Sequence, residues 1–168
     1  MRFVISGEWT RNSMLRLIML FFFCYVLFFI STNFFLYFRK MDLTAQSVVD
    51  YYLGNPDTFS RPKSVGGMME VSHYHLFAFG MLILTLAHLL LFIEIKTWKK
   101  LLLICTAFIS GLMFEGAGWL VRFVSPSFAF MKVAGFVLLE VSLLAISFIV
   151  LYGLIFKMPS DYRRHNSK

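Results

Sequence analysis

The sequence predicts an all-α protein: a four-helix transmembrane bundle with a short amphipathic helix in the first external loop. Four apolar runs long enough to cross a bilayer predict it, at about 17–38, 72–93, 101–121 and 133–156. A composition that is 59% hydrophobic and only 15% charged predicts it too, because a water-soluble chain of 168 residues could not hide so much apolar surface. Third, Lys and Arg flank these runs and are absent from within them, as topology signals are. The whole chain, 1–168, reads as one membrane domain.

The first run, Leu17 to Phe38, carries no charge and ends at Arg39-Lys40. It is too long for a signal-peptide core, and no small-x-small cleavage site follows it, so it stays attached as a helix. Its Phe21-Phe22-Phe23 and Phe28-Phe29 clusters wrap the helix and should face lipid or a partner subunit. Asn33 falls near its far end, at interfacial depth. The external loop, 39–69, is polar, with turn signals at Gly54-Asn55-Pro56 and Gly66-Gly67. Within it Ala45, Val48, Val49 and Tyr52 recur at helical spacing, which predicts a short helix lying at the membrane surface and stopped by Asn55-Pro56.

The second span runs from about Ser72 to Ile93 and the third from about Leu101 to Val121. The fourth covers Val133 to Phe156, after a turn at Ser125-Pro126-Ser127. Short connectors make the last three spans antiparallel neighbours. Ser110, Gly111, Gly116, Ala117 and Gly118 give the third span a small face for close helix packing.

Basic residues set the orientation. Arg2, Arg11, Arg16, Lys96, Lys99, Lys100, Lys157, Arg163, Arg164 and Lys168 fall on one side, against Arg39, Lys40, Arg61, Lys63, Arg122 and Lys132 on the other. The richer side is expected to be cytoplasmic, with both termini there, in a bacterial inner membrane. The net charge of +7 forms no basic stripe, so nucleic acid is not an expected partner. Cys24 and Cys105 lie apart, each inside an apolar run, without CxxC spacing; they read as packing residues.

Ionisable groups inside a span are expensive unless paired, hydrated or ligating, which makes each a candidate for function. They are His73, His75 and His88 on the second span, Glu115 on the third and Glu140 on the fourth, with Glu70 and Arg122 at the rim. His73 and His88 are 15 residues apart. That separation leaves them ~60° apart around the helix and ~22 Å apart along it, one near each membrane surface. His75 points elsewhere.

In span number, termini and paired histidines on one helix the chain resembles a small four-helix b-type cytochrome of a bacterial membrane. The resemblance implies haem b bound through His73 and His88, with His75 nearby. The other spans contain no His, so second axial ligands would come from Met113 or Met131, or from a two-fold dimer that brings His73 and His88 against their symmetry mates. The string Pro62-Lys63-Ser64, then Glu70-Val71-Ser72-His73-Tyr74-His75-Leu76-Phe77, is also similar to small bacterial membrane proteins of no assigned activity.

Glu70 and His73 form a Glu-x-x-His pair, the spacing used in carboxylate-bridged metal sites of helix bundles. This pair gives a second expectation, a single transition-metal ion held by Glu70, His73, His75 and Glu115 at the outer face. A simpler set of roles also follows. Glu115 pairs with Arg122 or a histidine, Glu140 bonds to Ser110 or Ser142, and no cofactor is bound. Glu115 and Glu140, with His75, are also candidates for a proton path.

Three functions therefore stand. One is an electron-transfer subunit that binds haem b and connects a periplasmic carrier with quinone. Another is a non-enzymatic accessory or assembly subunit of a larger membrane complex, with other subunits or a second copy as partner. The third is a metal-dependent membrane enzyme. No P-loop, nucleophile elbow, Rossmann glycine pattern or HExxH is present, which argues against soluble-type catalysis.

Overall fold

The computed structural model describes residues 13–156. Arg2, Arg11 and the basic tail from Lys157, His165 included, lie outside the described residues. Five α-helices follow in order: α1 (Ser13–Lys40), α2 (Ala45–Leu53), α3 (Val65–Leu91), α4 (Thr97–Phe123) and α5 (Ala129–Phe156). Short 3-10 turns at Pro56–Thr58 and Pro126–Phe128 precede α3 and α5. Among the described residues there is no strand. Four helices, all but α2, are long and apolar enough to cross a membrane.

Each boundary has a local cause. Thr44 caps α2 by accepting the Ser47 amide, and Ser64 caps α3 by accepting the Gly67 amide. Gly54 ends α2 at φ 84°; a Cβ there would lie 2.6 Å from the Ser60 carbonyl, so only glycine fits the turn. Asn55 then accepts the Asp57 amide and Pro56 occupies the first position of the 3-10 turn. α3 and α5 overrun their apolar windows by several residues, because the Ser64 cap and the Ser125-Pro126 turn set their starts and hydropathy does not.

α4 and α5 are the most intimately packed pair, with α3 against both. At Gly135 a Cβ would come within 2.7 Å of the Phe114 amide nitrogen, so α5 lies directly on the α4 backbone. Ile83, Leu86, Leu90, Phe136, Leu139, Leu143 and Ile146 fill the centre. The amphipathic α2 turns Val48 and Tyr52 inward against α4 and α5.

The outermost helix is α1. It touches the rest chiefly through α5, where Tyr37 stacks on Phe136 with ring centroids 3.7 Å apart, and through Phe29 edge-on to Phe79. Phe21 and Phe28 are exposed, as the lipid-facing reading expects, whereas Phe23 turns into the core and Phe22 and Phe29 pack against it. Cys24 and Cys105 both lie on exposed faces, so they do not fill the interior as expected.

Candidate functional site at the loop end of the bundle

The end of the bundle that carries α2 gathers the polar side chains. Glu115, in the second half of α4, is buried beside α3. The Ser72 hydroxyl donates to its Oε1 at 2.5 Å, and His75 Nδ1 lies 3.0 Å from its Oε2. Because a carboxylate only accepts, Nδ1 of His75 is the donor in this contact. The His75 ring is half-buried and lies nearly parallel to Phe114. Trp119 Nε1 donates to Ser72 Oγ at 2.8 Å, which completes a chain from indole to hydroxyl to carboxylate across α3 and α4.

Lys132 lies beneath this chain, 3% exposed, on the first turn of α5. Its ammonium donates to the Phe114 carbonyl at 2.6 Å and stands 3.5 Å from the Phe114 ring centroid, a cation–π contact in a desolvated place. Its charge also interacts with that of Glu115. Tyr52 of α2 covers the pair: its hydroxyl packs so closely on Gly118 that a Cβ there would meet it at 2.5 Å. Burial, and then the nearby Glu115 charge, push the Tyr52 phenol up, so it stays a neutral donor at any physiological pH.

Beside Glu115 opens a cleft of about 180 Å³. Tyr51, Tyr52 and Trp119 line it together with the buried Ser72 and Glu115 and the half-buried Lys63, whose Nζ is 4.1 Å from the Tyr51 ring centroid. The Arg122 guanidinium donates from Nε to the Lys63 carbonyl, which ties the α3 approach to the end of α4.

Of the residues singled out in the sequence, the fold brings His75 and Glu115 together and leaves the others apart. Glu70 and His73 are exposed on α3. Among the described residues no three His, Cys, Asp or Glu side chains converge, so the set Glu70, His73, His75, Glu115 does not meet at one point. His88 is exposed near the other end of α3, with Phe92 edge-on to its ring. Arg122 bonds to Lys63 and not to Glu115. Glu140 bonds neither Ser110 nor Ser142: its Oε1 accepts from Asn33 Nδ2 on α1, while Ser110 and Ser142 donate to carbonyls of their own helices. Its Oε2 is buried without a hydrogen-bond partner.

Nothing in the sequence marks Ser72, Trp119, Lys132, Tyr52 or Asn33 as site residues. Lys132 in particular reads as a surface topology charge, and the only hint of its burial is the Ser125-Pro126-Ser127 turn, which starts the helix early enough to carry position 132 inward.

A family model described as a transmembrane helical domain, Aq_1264_TM, matches residues 42–161. The chain belongs to this family. The match makes the protein a membrane protein built on a transmembrane helical domain. The Aq_1264_TM segment opens at Asp42 and takes in α2 to α5 with the whole cleft, leaving α1 outside it. No curated protein and no solved structure matches the chain.

Proposed function

We propose that this Aq_1264_TM protein is a non-enzymatic accessory subunit of a larger membrane complex, with its loop end outside the cytoplasm of a bacterial cell. One observation carries this reading, the outward face of α3. Glu70, Tyr74, Phe77, Met81, Leu84, His88 and Leu91 follow one another at alternating steps of four and three, and all are exposed. Ser72, Phe79, Ile83, Leu86 and Leu90 form the buried side of the same helix. Steps of four and three make the seam that one helix offers another in a left-handed pair. A seam with an ionisable group near each end is costly against lipid alone and favourable against a helix that bonds to those groups. The interior polar groups meanwhile link helix to helix, Ser72, His75 and Trp119 around Glu115 and Asn33 to Glu140, which is the work of a scaffold.

The test is photo-crosslinking in native membranes. A crosslinker at Leu84 should trap one discrete partner, and one at Val141, exposed on α5, should not. Purified protein that runs alone in mild detergent, with a stoichiometric metal or haem and no crosslink from Leu84, would refute the reading.

A second reading has a specific observation in its favour: His73 and His88 both project outside the fold, one towards each end of α3. Two copies packed through this helix would supply paired axial ligands for haem b at both levels, as in an electron-transfer subunit. A reduced-minus-oxidised spectrum decides it. Haem bands lost in His73→Ala and His88→Ala support it, and a spectrum without bands removes it.

A further inference from the structure

The cleft beside Glu115 is lined by groups of both signs, the buried Glu115 carboxyl and the half-buried Lys63. Three aromatic side chains, Tyr51, Tyr52 and Trp119, line the same cleft. Its volume of about 180 Å³ is below the roughly 300–1,000 Å³ of cofactor pockets and matches a group of only several heavy atoms. Ser72 and His75 each take one direction on the Glu115 carboxylate, but two oxygens offer about four acceptor sites in all, so capacity remains for a further donor. Lys132 compensates the Glu115 charge from the α5 side and does not line the cleft.

We infer that this cleft binds a primary ammonium joined by a short linker to a phosphate, the chemistry of a phosphoethanolamine headgroup. The ammonium donates N–H groups to Glu115 and lies against the faces of Trp119 and Tyr52, where cation–π attraction adds to the charge pair. The phosphate meets Lys63. A trimethylammonium group has no N–H to give Glu115, and a glycerol headgroup has no positive charge, so both are discriminated against. The cleft lies at the end of the bundle that carries α2, the one helix too short to span, so the ligand comes either from a phospholipid headgroup or from a soluble phosphoethanolamine ester.

Trp119 reports the binding. In full-length protein carrying Trp9→Phe and Trp98→Phe, its fluorescence is followed in nanodiscs as phosphatidylethanolamine replaces phosphatidylcholine, and separately as phosphatidylglycerol does. A saturable change with phosphatidylethanolamine alone is expected, its midpoint raised by about tenfold or more in Glu115→Gln and in Lys63→Gln. Lys63 is half-buried and outside the core, so its variant keeps the test valid even where Glu115→Gln fails to fold. Soluble glycerophosphoethanolamine added to phosphatidylcholine nanodiscs separates the sources: saturation supports a soluble ligand, and no response beside a positive lipid arm supports the lipid. Equal responses to the three lipids, no response in any arm, or an unchanged midpoint in Lys63→Gln overturns the inference. The crosslinking test at Leu84 concerns another face, so either proposal can fail alone.

Discussion

Gly135→Ala tests the packing that fixes everything else. A Cβ at 135 would lie 2.7 Å from the Phe114 nitrogen, 2.9 Å from its Cα and 3.1 Å from the Met113 carbonyl carbon. All three are backbone atoms inside α4, and no side-chain rotation can clear them. Ordinary contact distances of roughly 3.5–4.0 Å require the two helices to part by about 1 Å. Such overpacking costs about 1–3 kcal/mol, against which alanine regains about 1 kcal/mol of helix propensity. The parting also pulls the Phe114 carbonyl away from Lys132, so the net loss should fall at the upper end, about 2 kcal/mol or more. Gly116 is the control, since a Cβ there meets nothing within 4 Å. The assay is unfolding in mixed micelles of mild detergent and dodecyl sulfate, followed by far-ultraviolet circular dichroism. Gly116→Ala should unfold with or later than the parent and Gly135→Ala clearly earlier; a Gly135→Ala midpoint equal to the parent would refute the close approach of α5 to α4.

Asn33→Leu leaves the Glu140 carboxyl buried with neither oxygen bonded and should cost about 1–3 kcal/mol in the same assay, whereas Asn33→Leu with Glu140→Leu should recover most of it; equal losses in single and double variants would mean that the pair does not couple α1 to α5. Lys132→Met removes both the bond to the Phe114 carbonyl and the counter-charge to Glu115, with an expected loss of about 1.5–3 kcal/mol, and a neutral result would show that this ammonium is dispensable. Asp42, outside the spans, is held below the usual carboxylate range by hydrogen bonds from the Thr44 and Ser47 hydroxyls and the Thr44 amide. Its contribution is therefore present above the unfolded value of about 3.9 and lost as the pH falls through the lower folded one. The hydrogen-exchange protection factors of the Thr44 and Ser47 amides, each taken against the intrinsic rate at that pH, should fall across that acid window and stay level across it in Asp42→Asn.

Much of the fold was legible because hydropathy and charge are read by lipid one residue at a time. The run from Leu17 to Phe38 needs no partner to declare itself a span, and the period of Ala45, Val48, Val49 and Tyr52 is enough to predict α2 as an amphipathic helix; that its Tyr52 turns onto α4 is not legible there. The site was only half legible. A pairing of Glu115 with a histidine was an open choice, but which histidine depends on how α3 is rotated about its axis, and a uniformly apolar helix carries little periodic signal to set that rotation. Lys132 and Asn33 were misplaced for a related reason: both sit near the nominal ends of apolar runs, where side chains ordinarily reach water. The burial of Lys132 comes from α2 packed over it, and half-buried Asn33 reaches Glu140 of α5; contacts across 107 residues of chain leave no local trace.

The lock between Tyr52 and Gly118 ties the choices at two distant positions. A methyl group at 118 needs the space that the phenol fills, so a relative with alanine or serine there must have given up the tyrosine or moved α2 outward and opened the cover over Lys132. Across the family, residues 52 and 118 should therefore change together, and the lysine at 132 should persist only where the aromatic does.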